Sequence, residues 1–245
     1  MRPSTRLVVL GKKLWTPAQI STALWLDAAD ASTITLNGST VSQWNDKSGN
    51  GRNATQVTAS LQPTYANNAV VFTQDGLLVP TSAWPSQTNN HSLAVVMQVT
   101  DTSASSAGLV IINSSPVDDP EIRLGVGTEA RVYYNGQYAI NINAGLTTQK
   151  ISVVEMTPGV KSELFTDGTS IASRTLAGSL SPTNEFALGR YNSFNTTRNG
   201  TINEVLVYPS NTINRQLIEG YLAWKWGLVA NLLLNHPFKF NPPLA

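Results

Sequence analysis

From residue 23 to about residue 208, short apolar runs alternate with turn chemistry. Ser92–Thr100 (SLAVVMQVT) and Gly108–Asn113 (GLVIIN) are unbroken apolar runs of strand length. They predict strands that are covered on both faces or central to a sheet. Arg131–Tyr134 and Tyr138–Asn141 flank Asn135-Gly136-Gln137, and Asn-Gly favours a tight hairpin because both residues accept positive φ. Ile151–Thr157 and Val160–Thr166 flank Pro158-Gly159, and Asp167-Gly168 then leads into Thr169–Arg174, which predicts a three-strand antiparallel meander. Ala23–Asp27, Val41–Trp44, Ala69–Thr73, Leu77–Val79, Phe186–Leu188 and Thr201–Tyr208 add further short strands. Turn signals recur about every 8–12 residues, the spacing of a sandwich rather than of βαβ units.

One segment changes period. In Asn214–Gly227 (NRQLIEGYLAWKWG), Leu217, Tyr221, Trp224 and Leu228 recur at helical spacing, and Ile218 and Leu222 widen the stripe. Asn211, Thr212 or Asn214 can cap its start, and Gly227 can end it. Gly220, inside the helix, costs about 1 kcal/mol against Ala, and close approach to a sheet would explain it. Trp25, Trp44, Trp224 and Trp226 are expected to be packed rather than ligand-binding. The fold class expected is all-β: a two-sheet antiparallel jelly-roll sandwich with one C-terminal α-helix and extended N- and C-terminal arms. No internal repeat or linker divides the chain. Residues 1–19 read as an arm, 20–230 as the jelly-roll domain with helix 214–227, and 231–245 as an extended tail.

Composition narrows the function classes. Of 245 residues, 41% are apolar, which argues against disorder, and there is no cysteine, which excludes disulfides, thiol catalysis and cysteine-ligated zinc. Charged residues are 13% and the net charge is +1, so neither nucleic acid nor an anionic membrane is an expected partner. Near the N-terminus the apolar run Leu7–Leu10 is too short for the middle of a signal peptide. Synthesis in the cytoplasm without a classical export signal is the expectation.

Three stretches together resemble the concanavalin A-like lectin/glucanase superfamily, in its laminin G-like branch, as found in tailed-phage virion proteins. They are LWLDAADASTIT…VSQWNDKSGNGRNATQ (24–56), VVFTQDGLLV (70–79) with the ELFTDGTSIAS hairpin (163–173), and GTINEVLVYPSNTINRQLIEGYLAWKWGL (200–228). The resemblance covers most of residues 23–240. It implies a jelly roll and a role in surface binding or assembly, without fixing one ligand. On it rests the expectation of a non-enzymatic virion component on the virion surface, such as a capsid decoration (cement) or head-fibre-like protein. Its partners would be the major capsid protein and further copies of itself. The strand-like arm Arg6, Leu7, Val8, Val9, Leu10 could add to a neighbour's sheet edge. The alternative is a lectin-like module recognising host glycans.

Candidate chemistry is sparse. Glycan cleavage needs paired carboxylates about 5–5.5 Å apart for retention. No alternating Glu-x-Asp-x-Glu strand occurs, Asp118-Asp119 are adjacent, and Asp167 sits in a turn. His91 and His236 lie far apart and outside any nucleophile motif. No catalytic residue and no cofactor is therefore expected. Calcium is the one metal in question, at Asp27, Asp46 or Asp75 with Asp30 nearby, because hard cations take oxygen ligands. The competing reading is that Asp46 and Asp75 accept backbone N–H bonds in their turns. For glycan contact, Tyr134, Tyr138 and Tyr191 combine aromatic rings with neighbouring amides.

Overall fold

A computed structural model describes residues 12–84, 90–101, 108–113, 121–126, 129–134, 137–157, 160–175, 185–191, 196–209 and 214–245. The apolar runs become strands of two stacked antiparallel layers. Sheet I runs in the order Leu24–Asp27, Gly200–Tyr208, His91–Val99, Lys150–Thr157, Lys161–Thr166 and Thr169–Thr175. Sheet II runs in the order Gln137–Asn143, Glu129–Tyr134, Glu121–Val126, Val110–Asn113, Glu185–Leu188, Leu77–Val79, Ala54–Thr55, Thr40–Trp44 and Ile34–Asn37. The hairpin Thr64–Ala66/Ala69–Phe72 forms the corner, pairing Thr64 with Thr40 and Phe72 with Gly200. The fold is an all-β sandwich of jelly-roll type closed by one C-terminal helix.

Two cores result, and sheet I lies between them. Leu26, Val95, Met97 and Val205 face Trp44, Ile112, Leu124 and Phe186 across the sandwich, all of them buried. On the other face of sheet I, Trp25, Ala94, Val96, Val153, Phe165 and Leu206 lie beneath Ile218, Tyr221 and Leu222 of the helix. A strand buried on both faces has no reason to alternate, which is why SLAVVMQVT reads as one apolar run. The meander turn is also as the sequence implies: Asp167 and Gly168 take φ of 49° and 83°, the all-positive geometry of a tight hairpin. The Asn135-Gly136 and Pro158-Gly159 turns lie outside the described residues.

The helix is Arg215–Trp226. Asn214 caps it by accepting the Gln216 N–H at 2.9 Å, and Gly227 ends it in the left-handed region at φ 72°. Two expectations about it need correction. Gly220 does not abut a sheet: a Cβ there would stand 2.6 Å from the Phe238 side chain, so the C-terminal tail is what approaches. Trp224 does not face the sheet core either. It is half-buried and donates from Nε1 to the Phe238 carbonyl at 2.8 Å, clipping that tail to the helix.

The tail and the start of the described chain hold each other. Trp15 N–H donates to Pro243 O and Ala245 N–H to Lys13 O, both at 2.9 Å, around a Leu14–Leu244 bridge. Trp15 is buried and meets Tyr221 edge-on, with ring centroids 5.9 Å apart. Residues 12–15 thus pack on the body. The Arg6–Leu10 arm lies outside the described residues.

Gly220→Ala measures the tail contact. Helix propensity alone would add about 1 kcal/mol of stability, but crowding Phe238 should cost about 1–3 kcal/mol. A lower melting temperature is expected for G220A, and most of it should return in G220A/F238A. A single variant more stable than the wild type would refute the contact.

Candidate functional site

Sequence positions far apart converge beneath the helix. Glu204 projects from strand Gly200–Tyr208 onto the helix side of sheet I and is fully buried. Its Oε1 accepts Trp25 Nε1 and Tyr221 OH, each at 2.8 Å. Its Oε2 accepts Lys225 Nζ and Trp226 Nε1, each at 2.7 Å. Lys225 also donates to Asp27 Oδ1 at 2.6 Å, and Lys47 reaches Asp27 Oδ2 and Asp30 Oδ2, both at 2.9 Å. The cations sit over rings as well: Lys47 is 4.6 Å from the Trp25 ring centroid and Lys225 5.1 Å from that of Trp226. Burial pushes the Glu204 carboxyl above its ordinary range, while the Lys225 ammonium pulls the other way. Burial alone would lower the Lys47 ammonium, but its bonds to Asp27 and Asp30 outweigh that and hold it above its usual value.

The loop after Trp44 locks this network to the edge of sheet I. Asp46 Oδ1 accepts Trp25 N–H and Ser48 N–H, both at 2.9 Å. Its Oδ2 accepts Ser48 Oγ at 2.7 Å and Arg52 N–H at 3.0 Å. Arg52 and Asn50 then donate to Ala23 O and Thr22 O. The edge strand Leu24–Asp27 is covered by a loop rather than left open to pairing.

A second polar cluster lies at the helix N-terminus. Cross-strand register sets Tyr208, Ser92, Glu155 and Glu163 in one row across sheet I. Glu155 and Glu163 are directly opposed, a carboxylate pairing the sequence reading missed. The signal was present, since the two flank Pro158-Gly159 at near-equal distances and a hairpin makes such positions partners. Glu163 accepts Lys161 Nζ at 2.6 Å and Ser170 Oγ at 2.8 Å, and Arg215 Nε is 3.8 Å from Glu155. Burial raises Glu155, whereas at Glu163 the Lys161 and Ser170 bonds overcome burial and lower it. Buried Glu219 joins the cluster, with Arg215 on one oxygen and His236 Nε2 3.3 Å from the other. His236 Nδ1 accepts the Phe238 N–H at 3.2 Å, which leaves Nε2 as the protonated nitrogen, the one facing Glu219.

The calcium candidates do not meet. Asp27 belongs to the ionic network, Asp46 holds its loop, and Asp75 accepts Thr73 N–H at 3.0 Å in its own turn. Burial raises Asp75 above the usual carboxylate range. Among the described residues, no three acidic or histidine side chains gather around a common point suited to a metal ion.

The glycan candidates fall on sheet II. Tyr138 lies directly opposite Tyr133, while Tyr134 pairs with Gln137 at the hairpin end. Tyr133 and Tyr134 are successive positions and so alternate between faces. Tyr138 therefore shares its row with Tyr133, not with Tyr134. Tyr191 stands apart, in the short strand Arg190–Tyr191 paired with Thr196–Thr197. One row away from Tyr133, Arg123 and Arg131 are direct cross-strand partners. Ile111 and Ala187 continue the Arg123–Arg131 row, and both are buried. No described helix packs on this face.

No protein-family model and no curated protein sequence matches the chain. Solved structures do resemble it in fold. The binding domain of Paraclostridial Mosquitocidal Protein 1 superposes with a TM-score of 0.58 at 12% identity, over 83% of this chain and 52% of that one. Trypanosoma rangeli sialidase in complex with sialic acid gives 0.56 at 15% identity, over 82% of this chain and 32% of that one. The botulinum neurotoxin serotype D/C binding domain gives 0.51 at 13% identity, over 77% and 48%. The chain thus spans about half, or a third, of each solved chain. At such identities the likeness is one of fold, a jelly-roll β-sandwich.

Two measurements probe the polar clusters. Lys225→Met leaves Glu204 and Asp27 buried without their shared cation and should cost about 3–5 kcal/mol in denaturant unfolding. The double variant K225M/E204Q should recover part of that loss; strict additivity would show the two groups to be uncoupled. Glu155 carries the pH signature. Because its folded pKa is raised, the folded state holds that proton more tightly than the unfolded chain. Its contribution is fully favourable below about 4.5, the unfolded glutamate value, and is lost as pH rises through the folded value. Glu155→Gln should therefore gain stability relative to the wild type as pH rises from 4 to 7, read as melting temperature against pH. A difference that shrinks over that range would reverse the assigned sign.

Proposed function

We propose that the chain is a non-catalytic, lectin-like glycan-binding module, with the outer face of sheet II as its binding surface. The observation that carries this reading is the asymmetry of the sandwich. The helix, the segment around Trp15 and the C-terminal tail all pack on sheet I. Sheet II keeps a strand face bearing tyrosine, asparagine and arginine positions, in register across Glu121–Val126, Glu129–Tyr134 and Gln137–Asn143. Sugars are bound by aromatic faces against C–H surfaces and by directional polar groups against hydroxyls, and that strand face offers both residue types.

The fold likenesses are to toxin binding domains and to a sialidase. They support the lectin-like alternative better than capsid decoration, which rests only on the sequence resemblance. A non-catalytic role is supported by the state of the carboxylates. Glu163 is held by Lys161 and Ser170, Glu155 faces Arg215, and Glu204 has four donors on its two oxygens. A host glycan on a cell or virion surface is the partner this reading favours.

A glycan array with the purified chain tests it. Binding to a defined set of oligosaccharides is expected, and Tyr138→Ala should weaken it at least tenfold with the melting temperature unchanged within experimental error. A fully folded wild type that binds no glycan on a broad array would sink the proposal.

A further inference from the structure

We infer that a monovalent metal cation is bound beneath the start of the helix, held by the hydroxyls of Tyr208 and Ser92 and by the Glu155 carboxylate. Cross-strand register makes Tyr208 the direct partner of Ser92, and Ser92 the direct partner of Glu155. The three positions share the helix face of sheet I with Leu206, Ala94 and Val153. Tyr208 and Ser92 are fully buried, and neither hydroxyl reaches a hydrogen-bond partner among the described residues. A buried hydroxyl without a partner is destabilising, and an ion or an ordered water is what satisfies one.

Position and charge select the ion. Burial first, and then the charges of Glu155 and Glu219, push the Tyr208 phenol up, so that hydroxyl stands within the electrostatic range of both carboxylates. Glu155 is met by Arg215 Nε at 3.8 Å, beyond hydrogen-bond distance, that guanidinium being paired with Glu219 and stacked 3.6 Å from the Phe165 ring centroid. In the cluster, Glu155, Glu163 and Glu219 face Lys161 and Arg215, three negative groups against two positive. His236 accepts the Phe238 N–H on Nδ1 and so adds no charge. One positive charge balances the set, whereas a divalent ion would leave an excess beside Arg215. Ser152 and Thr166 also carry buried hydroxyls without partners, but they face the sandwich core with no carboxylate in their row.

The ligand chemistry fits a small hard cation. Hydroxyl oxygens keep lone pairs free to accept it, and a carboxylate oxygen completes the set. No third carboxylate is needed for a single charge. The Glu155 side chain is 25% exposed, so the ion enters past it and keeps water on that side. So placed, the cation ties three strands of sheet I together where the helix begins.

The test is the melting temperature of the full chain in sodium, potassium and choline chloride at one ionic strength, which holds screening constant. Sodium or potassium should raise it saturably above choline by about 3–5 °C, the shift that a tenfold gain in the folded-to-unfolded ratio brings to a chain of this size. Tyr208→Phe and Ser92→Ala each delete one ligand oxygen and should abolish that rise. In choline each should melt no lower than the wild type, since the hydroxyl removed has no protein partner; a lower value shows that hydroxyl to be bonded within the protein and counts against the inference. Glu155→Gln, at a partly exposed side chain, removes the charge without touching the core and should abolish the rise as well. Equal melting of the wild type in all three salts overturns the inference and leaves the two hydroxyls to water. A rise that survives in any of the three variants overturns the placement. Neither result bears on the lectin-like reading, which rests on sheet II.

Discussion

The arrangement of the molecule depends on one buried carboxylate. Glu204 takes hydrogen bonds from two indoles, a phenol and an ammonium, supplied by the edge strand and by the helix. Taking a carboxylate and an ammonium out of water costs several kcal/mol per ion, and the attraction between them offsets this only when the remaining lone pairs are filled. Here four donors fill them. Apolar contact alone would let the helix slide or rotate over Leu206, Val96 and Val153, since the hydrophobic effect has no direction. The bonds to Glu204 and Asp27 fix one registration, because Tyr221, Lys225 and Trp226 reach the same two carboxylates only in that pose.

That choice commits sheet I to holding the molecule together. Sheet I gives both faces to packing, one to the sandwich core and one to the helix. Its edge strand is sealed by the Asp46 loop, and the tail is fastened by Trp224, Phe238 and His236. A surface so fully used for stability has little freedom to change for a ligand. On the outer face of sheet II, Ile111 and Ala187 are fully buried as a separate apolar pair, and no described helix packs there.

The strands and the helix were legible because each follows from local rules: turn pairs that accept positive φ, apolar runs, and a 3.6-residue stripe with Asn214 and Gly227 at its ends. The corner hairpin was not, since Asn67 and Asn68 take φ of 53° and 58° without the glycine that would have announced a turn. The ionic network was invisible for a different reason. Asp27 and Lys225 are in contact across 198 positions, and nothing local marks either as half of a pair. Of the stretches that carry the resemblance, LWLDAAD, NDKSGNGR, GTINEVLVY and GYLAWKWG build the network, whereas 70–79 and 163–173 take no part in it. Those four segments are physically the wiring of one buried salt-bridge cluster. Gly220 was misassigned because a glycine reports a close approach without naming what approaches; Phe238 does so here.

Charge economy is a second constraint on the fold. The chain has 16 Lys and Arg against 15 Asp and Glu, a sparse and balanced set. On the helix side of sheet I these charges are spent in opposite-sign pairs: Lys225 with Asp27 and Glu204, Lys47 with Asp27 and Asp30, Lys150 with Asp167, Arg215 with Glu155 and Glu219. Arg131 follows the same rule on sheet II, where Glu129 holds it. With so few charges, removing any one of these ions leaves a partner of opposite sign uncompensated. The sparse charge of the chain is thus concentrated where it fixes one element against another, which apolar contact alone would not do.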